Sequence, residues 1–165
     1  MQKSNLRNAM LIGLLIILSS GAVALYKYSS KYSSGNKASA VTLPQVMVYK
    51  NPTCGCCKKW EQHMRRNGFT VQSDTIADVA NIKTKYQVPK NMASCHTAII
   101  GKYVIEGHVP ADTIKRLLAE NPSNVVGLVV PEMPNGSAGM EDPSPVPYQV
   151  LAFDISGKTT LYEQR

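Results

Sequence analysis

The chain has 165 residues, 44% of them hydrophobic, which is enough for one domain with a buried core but not for two. Its net charge of +7 is uneven, because residues 1–40 hold five basic and no acidic residues, whereas residues 41–165 hold 13 basic and 11 acidic ones. The folded part is therefore nearly neutral and has no basic stripe interleaved with aromatic residues, so we expect no nucleic-acid partner.

Residues 1–25 have the pattern of an export segment. A basic start is followed by an apolar core at 10–18 and by the small-x-small cleavage pattern AVA at 22–24. An uncleaved membrane anchor is the alternative, although the apolar core is short for a span, which needs about 20 residues. Both readings predict a periplasmic protein, or one anchored in the membrane and facing the periplasm, with residues 26–40 as a flexible linker. We expect no other link to the membrane.

Residues 41–165 form the predicted folded domain, in which strands and helices alternate. Hydrophobic periodicity and turn residues predict first a strand at 45–50, a helix at 56–66, a strand at 69–73 and a helix at 76–86. A hairpin with strands at 97–100 and 103–106 and a helix at 111–120 follow. The last predicted element is a terminal hairpin with strands at 148–154 and 159–162. A long proline-rich loop at 131–147, the late loop, precedes the last hairpin. The first strand–helix–strand unit favours parallel strands. This order is typical of an α/β, thioredoxin-like fold with a central mixed sheet, flanking helices and a C-terminal hairpin.

Thiol chemistry is concentrated at one turn of this domain. Cys54, Cys56 and Cys57 lie between the first strand and the first helix, and Lys58 and Lys59 follow them. A helix N-terminus and nearby lysines favour thiolate, which is both the nucleophile and the metal ligand. The first and third of these cysteines also form a C-x-x-C pair, as in thiol redox sites. The additional sulfur is not needed by a dithiol switch and favours a metal site.

Other soft donors occur later in the chain, and they extend the predicted metal site. Thiolate and thioether sulfur select Cu(I), and imidazole also suits copper. Adjacent cysteine side chains cannot easily join one tetrahedral zinc, so we expect bridging thiolates and a multinuclear Cu(I) cluster. The predicted metal ligands are Cys54, Cys56, Cys57, Cys95, His108, Met133 and Met140.

Each of these residues has a simpler reading. The C-x-x-C pair could form a structural disulfide in an exported protein, and a second bridge could join Cys56 to Cys95. Cys95 could pack in the core, and because neighbouring strand residues face opposite sides, Cys95 and His96 should not both face the site if that stretch is extended. His108 could cap the following helix or hold a loop, and Met133 and Met140 could form a hydrophobic lid.

Four motifs in this order carry a resemblance to a known family. They are CGCCKKW at 54–60, SCHTA at 94–98, EGHVP at 106–110 and GLVVPEMPNGSAGM at 127–140. Together they resemble the small CopG-like metal-binding proteins of bacterial copper-resistance loci. The resemblance implies a thioredoxin-like fold, an export signal and binding of copper by clustered cysteines, and all of the family's cysteines have a counterpart in this sequence.

Two functional hypotheses follow from the sequence. In the first, the chain is an exported binding protein that captures Cu(I) for copper tolerance, delivery or redox handling, and its partners are copper ions and other exported copper-handling proteins. In the second, it is a thiol-disulfide oxidoreductase in which Cys54 attacks and Cys57 resolves. Cys56 and the two methionines of the late loop favour the first, because an oxidoreductase does not need them and a copper site does.

Overall fold

A computed structural model describes residues 42–165. The predicted export segment at 1–25 and linker at 26–40 lie outside the described residues and stay predictions. Within the described part of the chain, no helix is both long enough and apolar enough to cross a bilayer.

The centre of the structure is one mixed sheet of seven strands. The strands are β1 (Val46–Lys50), β2 (Val71–Thr75), β3 (His96–Ile100), β4 (Tyr103–Glu106), β5 (Gly127–Val129), β6 (Gln149–Phe153) and β7 (Thr159–Gln164). Their order across the sheet is β2-β1-β3-β4-β5-β6-β7. β1 pairs with β2, and β4 with β5, in parallel, and the other neighbours are antiparallel. The predicted α/β mixed sheet is confirmed, and its element order is compatible with a thioredoxin-like fold.

Within residues 42–165, three α-helices and one short 3₁₀ turn pack around this sheet. They are α1 (Gly55–Arg66), α2 (Ala80–Lys85), the 3₁₀ turn Lys90–Met92 and α3 (Ala111–Glu120). α1 buries Trp60 and Met64 completely, in one core cluster with the inward side chains of β1. The indole Nε1 of Trp60 donates to the Val109 carbonyl at 2.9 Å, so the polar end of this large side chain is satisfied inside the core.

Two predicted elements begin later than the sequence indicates. β2 starts at Val71, because Phe69 closes the turn after α1 by donating its main-chain N–H to Met64 and buries its ring. α2 starts at Ala80, because the N–H of Ile76 continues the sheet by donating to the Lys50 carbonyl. The prediction of a helix over 76–86 is therefore wrong at its N-terminal end.

β5 is absent from the sequence-based prediction. It has three residues, all buried, and it lies between β4 and β6. A Cβ at Gly127 would lie 2.0 Å from the Val104 carbonyl oxygen, so only glycine lets the strand approach β4 this closely. Through β5 the terminal hairpin β6–β7 becomes part of the same sheet.

The register of the sheet brings distant segments of the chain together. Lys50 at the end of β1 is paired with His96 at the start of β3, and Thr97 is paired with Glu106 at the end of β4. The cysteine turn after β1, the residue before β3 and the residues after β4 therefore meet at one edge of the sheet. This edge carries the candidate site.

Candidate metal centre

The cysteine turn is shaped by its own polar residues. The Asn51 side-chain oxygen accepts hydrogen bonds from the N–H and the hydroxyl of Thr53, at 3.0 and 2.7 Å. Cys54 is the N-cap of α1, and its sulfur accepts from the Cys57 N–H at 3.3 Å. The first turn of α1 contains no acidic residue. Its free N–H groups therefore present a partial positive charge to the sulfurs, which favours anionic sulfur.

All four cysteines meet at this turn. Cys54 and Cys57 are joined by a disulfide, and the Cys56 sulfur lies 3.5 Å from the Cys54 sulfur. The Cys95 sulfur, 39 residues further along the chain, lies 3.9 Å from the Cys56 sulfur. The four sulfurs lie within 4.8 Å of one another. The disulfide pair must be reduced before its sulfurs can act as thiolate ligands.

Cys95 joins the sulfur group to two imidazole rings. Its sulfur lies 3.3 Å from Nδ1 of His96 and 3.0 Å from Nε2 of His108. The alternation expected of an extended chain does not apply, because Cys95 lies in a bend immediately before β3, so it and His96 can face the same point. Burial, with a contribution from Cys56, raises the pKa of Cys95 to about 12. Without metal, Cys95 is therefore a neutral thiol at physiological pH.

His108 is buried and held in one orientation. Its Nδ1 lies 2.7 Å from the Ala138 carbonyl oxygen, which can only accept, so Nδ1 carries the proton and Nε2 presents its lone pair to Cys95. Burial lowers the pKa of His108, which keeps the ring neutral at pH 7. A neutral imidazole fixed by a carbonyl is the arrangement of many metal-binding histidines.

His96 is the residue that sequence analysis did not include among the ligands. It is fully buried, its ring centroid lies 4.4 Å from that of Trp60, and its Nε2 has no hydrogen-bond partner among the described residues. Burial lowers its pKa well below the ordinary value, and its neighbours His108, Lys83 and Lys50 would each oppose a positive charge on this ring. Cys95, His96 and His108 thus form a second group of donor atoms that shares one sulfur with the first. The available signal was the adjacent Cys-His pair.

The two methionines of the late loop have different positions. The Met133 sulfur lies 3.9 Å from the Cys56 sulfur, and the side chain is 47% exposed. Met140 is held by its main chain, which bonds to Ser137 and Gly136. Within residues 42–165 its sulfur makes no hydrogen-bond-type contact with a cysteine sulfur, unlike that of Met133. The structure therefore brings the Met133 sulfur to the cysteine group, and the role predicted for Met140 stays a prediction.

Two solved structures resemble this chain over most of its length. They are titled "Copper resistance protein copG- Form 1" and "Copper resistance protein copG- Form 2", with 39% and 38% sequence identity and TM-scores of 0.69 and 0.70. Each match covers 74% of this chain and 98% of the solved one. The chain belongs to the CopG-like copper-resistance family. The expected resemblance is confirmed.

The other two comparisons cover less of the chain or find no match. A family model described as "Protein of unknown function, DUF411" matches residues 92–140, a segment that holds Cys95, His108 and Met133 but not the cysteine turn. No curated protein matches the chain. The CopG-like assignment therefore depends on the two solved structures, whose matches cover nearly all of their own length.

Proposed function

We propose that this protein captures Cu(I) in a cluster built on Cys54, Cys56, Cys57 and Cys95, for copper tolerance, delivery or redox handling. The observation that carries the proposal is the convergence of four sulfurs within 4.8 Å of one another. The names of the similar solved structures, which are copper-resistance proteins, support copper as the metal.

The donor set suits Cu(I) better than a hard cation. Reduced, the group offers four thiolates, and no carboxylate belongs to either candidate group of donor atoms in the described chain. Thiolate sulfurs this close to one another can each bridge two metal ions. A multinuclear cluster shares its positive charge among the crowded thiolates and relieves their mutual repulsion.

Nitrogen and thioether donors complete the proposed site. His108 presents the lone pair of Nε2 at 3.0 Å from the Cys95 sulfur, and the Met133 sulfur adjoins Cys56 on the exposed side. We include both as ligands, with His96 as a further candidate on Cys95. Met140 is the weakest of the predicted ligands, because only its main chain has a defined role in the late loop.

Loading the site requires electrons and releases protons. Reducing the Cys54–Cys57 disulfide takes two electrons and two protons and yields two thiols. Copper then displaces the thiol protons, including that of Cys95. The raised pKa of Cys95 means that its thiol does not lose this proton at neutral pH unless a metal ion binds the sulfur. Capture of copper should therefore be tighter at higher pH and should need a reductant.

We also propose that the protein works outside the cytoplasm, in the periplasm or anchored facing it. The support is the export pattern of residues 1–25 and the resemblance to copper-resistance proteins. Its partners would be copper ions and other exported copper-handling proteins. The export prediction is checked by N-terminal sequencing of the protein recovered from the periplasm.

The direct experiment is an anaerobic titration of the reduced protein with Cu(I) against a chromophoric chelator, with free thiols counted at each point. More than one tightly bound Cu(I) per chain, with all thiols protected together, supports the cluster. Cys95→Ser should lower the affinity or the number of bound ions. Copper that stays with the chelator contradicts the proposal.

The alternative function is that of a thiol-disulfide oxidoreductase using Cys54 and Cys57. The disulfide at the N-terminus of α1 is compatible with it, although the comparisons do not favour it. Reduction of a disulfide substrate that depends on Cys54, combined with failure to take copper from the chelator, would establish this alternative.

A further inference from the structure

Glu106, at the end of β4, is a fully buried carboxylate beside the candidate site. Its Oε1 accepts from Nζ of Lys83 and from the main-chain N–H of Ser94, both at 2.5 Å, and its Oε2 accepts from the Thr97 hydroxyl at 2.7 Å. Three donors thus converge on one carboxylate from three different segments of the chain. A buried ion pair of this kind is weak evidence for a gain in stability, because desolvation offsets the Coulomb attraction.

Ser94 connects this carboxylate to two segments of the chain that carry sulfur donors, one with Cys95 and the other with Met133. Its N–H is held by Glu106, and its hydroxyl donates to the Glu132 carbonyl at 2.6 Å. The next residue along the chain from Ser94 is Cys95, and the next from Glu132 is Met133. Glu132 has φ +61, so the late loop turns sharply at this contact.

Both segments bring a sulfur atom close to the sulfur of Cys56. The Cys95 sulfur and the Met133 sulfur each lie 3.9 Å from the Cys56 sulfur. Both of these sulfur donors come from outside the cysteine turn, and no covalent link fixes their distance from it. Gly107 leaves room for the arrangement, since a Cβ there would lie 2.6 Å from the Ser94 hydroxyl oxygen.

We propose that Glu106 is a positioning residue, which acts through Ser94 to hold Cys95 and Met133 against Cys56. The inference rests on the proposed function for its metal ligands. It adds that a buried carboxylate, which touches no metal, sets the distance between the local and the distal sulfur donors. Ser94 transmits this effect to Cys95 through its main chain and to Met133 through its hydroxyl.

The first test measures sulfur geometry without copper. In full-length protein carrying Cys54→Ser and Cys57→Ser, the equilibrium between the Cys56/Cys95 dithiol and its disulfide is measured in a glutathione buffer, where one glutathione disulfide yields two reduced glutathiones. Its equilibrium constant gives the effective molarity of the thiol pair. We expect Glu106→Gln to lower that value by about tenfold or more, because Cys95 loses its defined position.

The matched control is Glu61→Gln, which removes the carboxylate of the other buried ion pair, with Lys50 at 2.5 Å, without touching Ser94. It should change the effective molarity by much less than Glu106→Gln. Equal losses in the two variants overturn the proposal. If Glu106→Gln does not fold, the Lys83→Gln, Glu106→Gln double variant leaves no unpaired buried charge and is measured in its place, with the same expected loss.

The second test is a double-mutant cycle on Cu(I) affinity, measured by chelator competition. Ser94→Ala removes the hydroxyl that holds Glu132 and should weaken binding as much as Met133→Leu, by about tenfold, the scale of supporting contacts in metal sites. Ser94→Ala should have a much smaller effect in a Met133→Leu background, and the part that remains reflects the hydrogen bond between the Ser94 side chain and Cys95. Additive losses would show that Ser94 does not act through Met133 and overturn that arm of the proposal.

The two tests separate this proposal from the proposed function. If Cys95→Ser leaves the Cu(I) affinity unchanged, the proposed ligand set fails, whatever Ser94→Ala does. The glutathione equilibrium contains no copper, so it still decides whether Glu106 positions Cys95. An unchanged effective molarity in Glu106→Gln overturns the positioning role even where copper binding is intact.

Discussion

At the scale of single residues, the site depends on groups that are kept neutral until metal arrives. Burial raises the pKa of Cys95 from 9.0 to about 12, and burial lowers the pKa of His108. Cys95 therefore keeps its thiol proton, and the His108 ring does not take up a second proton. The arrangement avoids an unpaired charge inside the protein, and it leaves a thiol that a thiophilic metal ion can deprotonate by coordination.

The raised pKa of Cys95 predicts how stability changes in alkaline solution. Because the folded state binds this proton more tightly than the unfolded state, the stabilising effect is complete below the unfolded value of 9.0 and is lost as the pH rises towards about 12. We expect the free energy of unfolding of the metal-free protein with its Cys54–Cys57 disulfide intact, relative to Cys95→Ser, to decrease between about pH 9 and pH 11. Denaturant titrations of both proteins check this, and a constant difference contradicts it.

The fixed tautomer of His108 predicts a specific loss of metal affinity. His108→Gln removes the nitrogen that faces Cys95 and should weaken Cu(I) binding by about tenfold or more. His63→Gln is the control, since His63 is partly buried and its ring also makes one hydrogen bond to the main chain, by accepting from the Ala111 N–H at 3.1 Å, away from the cysteines. Chelator competition on both variants is the measurement. Equal affinities would exclude His108 from the ligand set.

At the scale of elements, the late loop is a support for the site rather than a separate feature. Its Ala138 carbonyl fixes His108, and the next residue, Gly139, packs against the first turns of α1. A Cβ at Gly139 would lie 2.6 Å from the Trp60 main-chain nitrogen, and its φ of +80 is unfavourable for any other residue. The late loop therefore connects α1, which has three cysteines at its N-terminus, to His108, which faces Cys95.

This packing makes Gly139→Ala a test of the loop. We expect it to cost about 1–3 kcal/mol in the free energy of unfolding and to weaken Cu(I) binding, because the loop must move away from α1 and take the Ala138 carbonyl with it. Gly157→Ala is the control, since its φ of +79 gives similar backbone strain in the distant β6–β7 turn, with nothing closer than 3.9 Å. If both variants lower copper affinity equally, the loop has no special role.

The elements also show which features the sequence could predict. The β3–β4 hairpin and α3 are marked by local signals, namely Gly101 in the turn and Asn121 with φ +46 at the helix end, and both predictions are confirmed. β5 has three residues and exists because β4 and β6 pair with it on both sides. No local pattern could reveal such a strand, because its stability comes entirely from its neighbours.

The same distinction applies to the site. The sequence predicts the cysteine turn because its residues are close together in the chain. His96 contacts the Cys95 sulfur because the chain bends at Cys95, and only the packed structure reveals this bend. The difference between Met133 and Met140 likewise depends on how the late loop folds on α1. Sequence spacing predicts local donors, and the tertiary fold decides which distant donors join them.

At the scale of the whole molecule, the site is a meeting point of three sheet strands. The register that pairs Lys50 with His96 and Thr97 with Glu106 brings residues 54–57, 95 and 108 to one edge. Cys54, Cys56 and Cys57 remain close together in the unfolded chain, whereas Cys95, His108 and Met133 join them only when the domain folds. Copper bound to the native cluster should therefore stabilise the fold through the distant ligands alone.

This reasoning gives a prediction for thermal unfolding. Cu(I) should raise the Tm of the reduced protein, because the native state binds it more tightly than the unfolded chain, which retains the local cysteines. Cys95→Ser should remove most of this rise while the protein still binds some copper through the turn. Differential scanning calorimetry with and without Cu(I) measures both effects. A rise in Tm that is as large in Cys95→Ser as in the unmodified chain would mean that folding adds no ligand to the three cysteines of the turn.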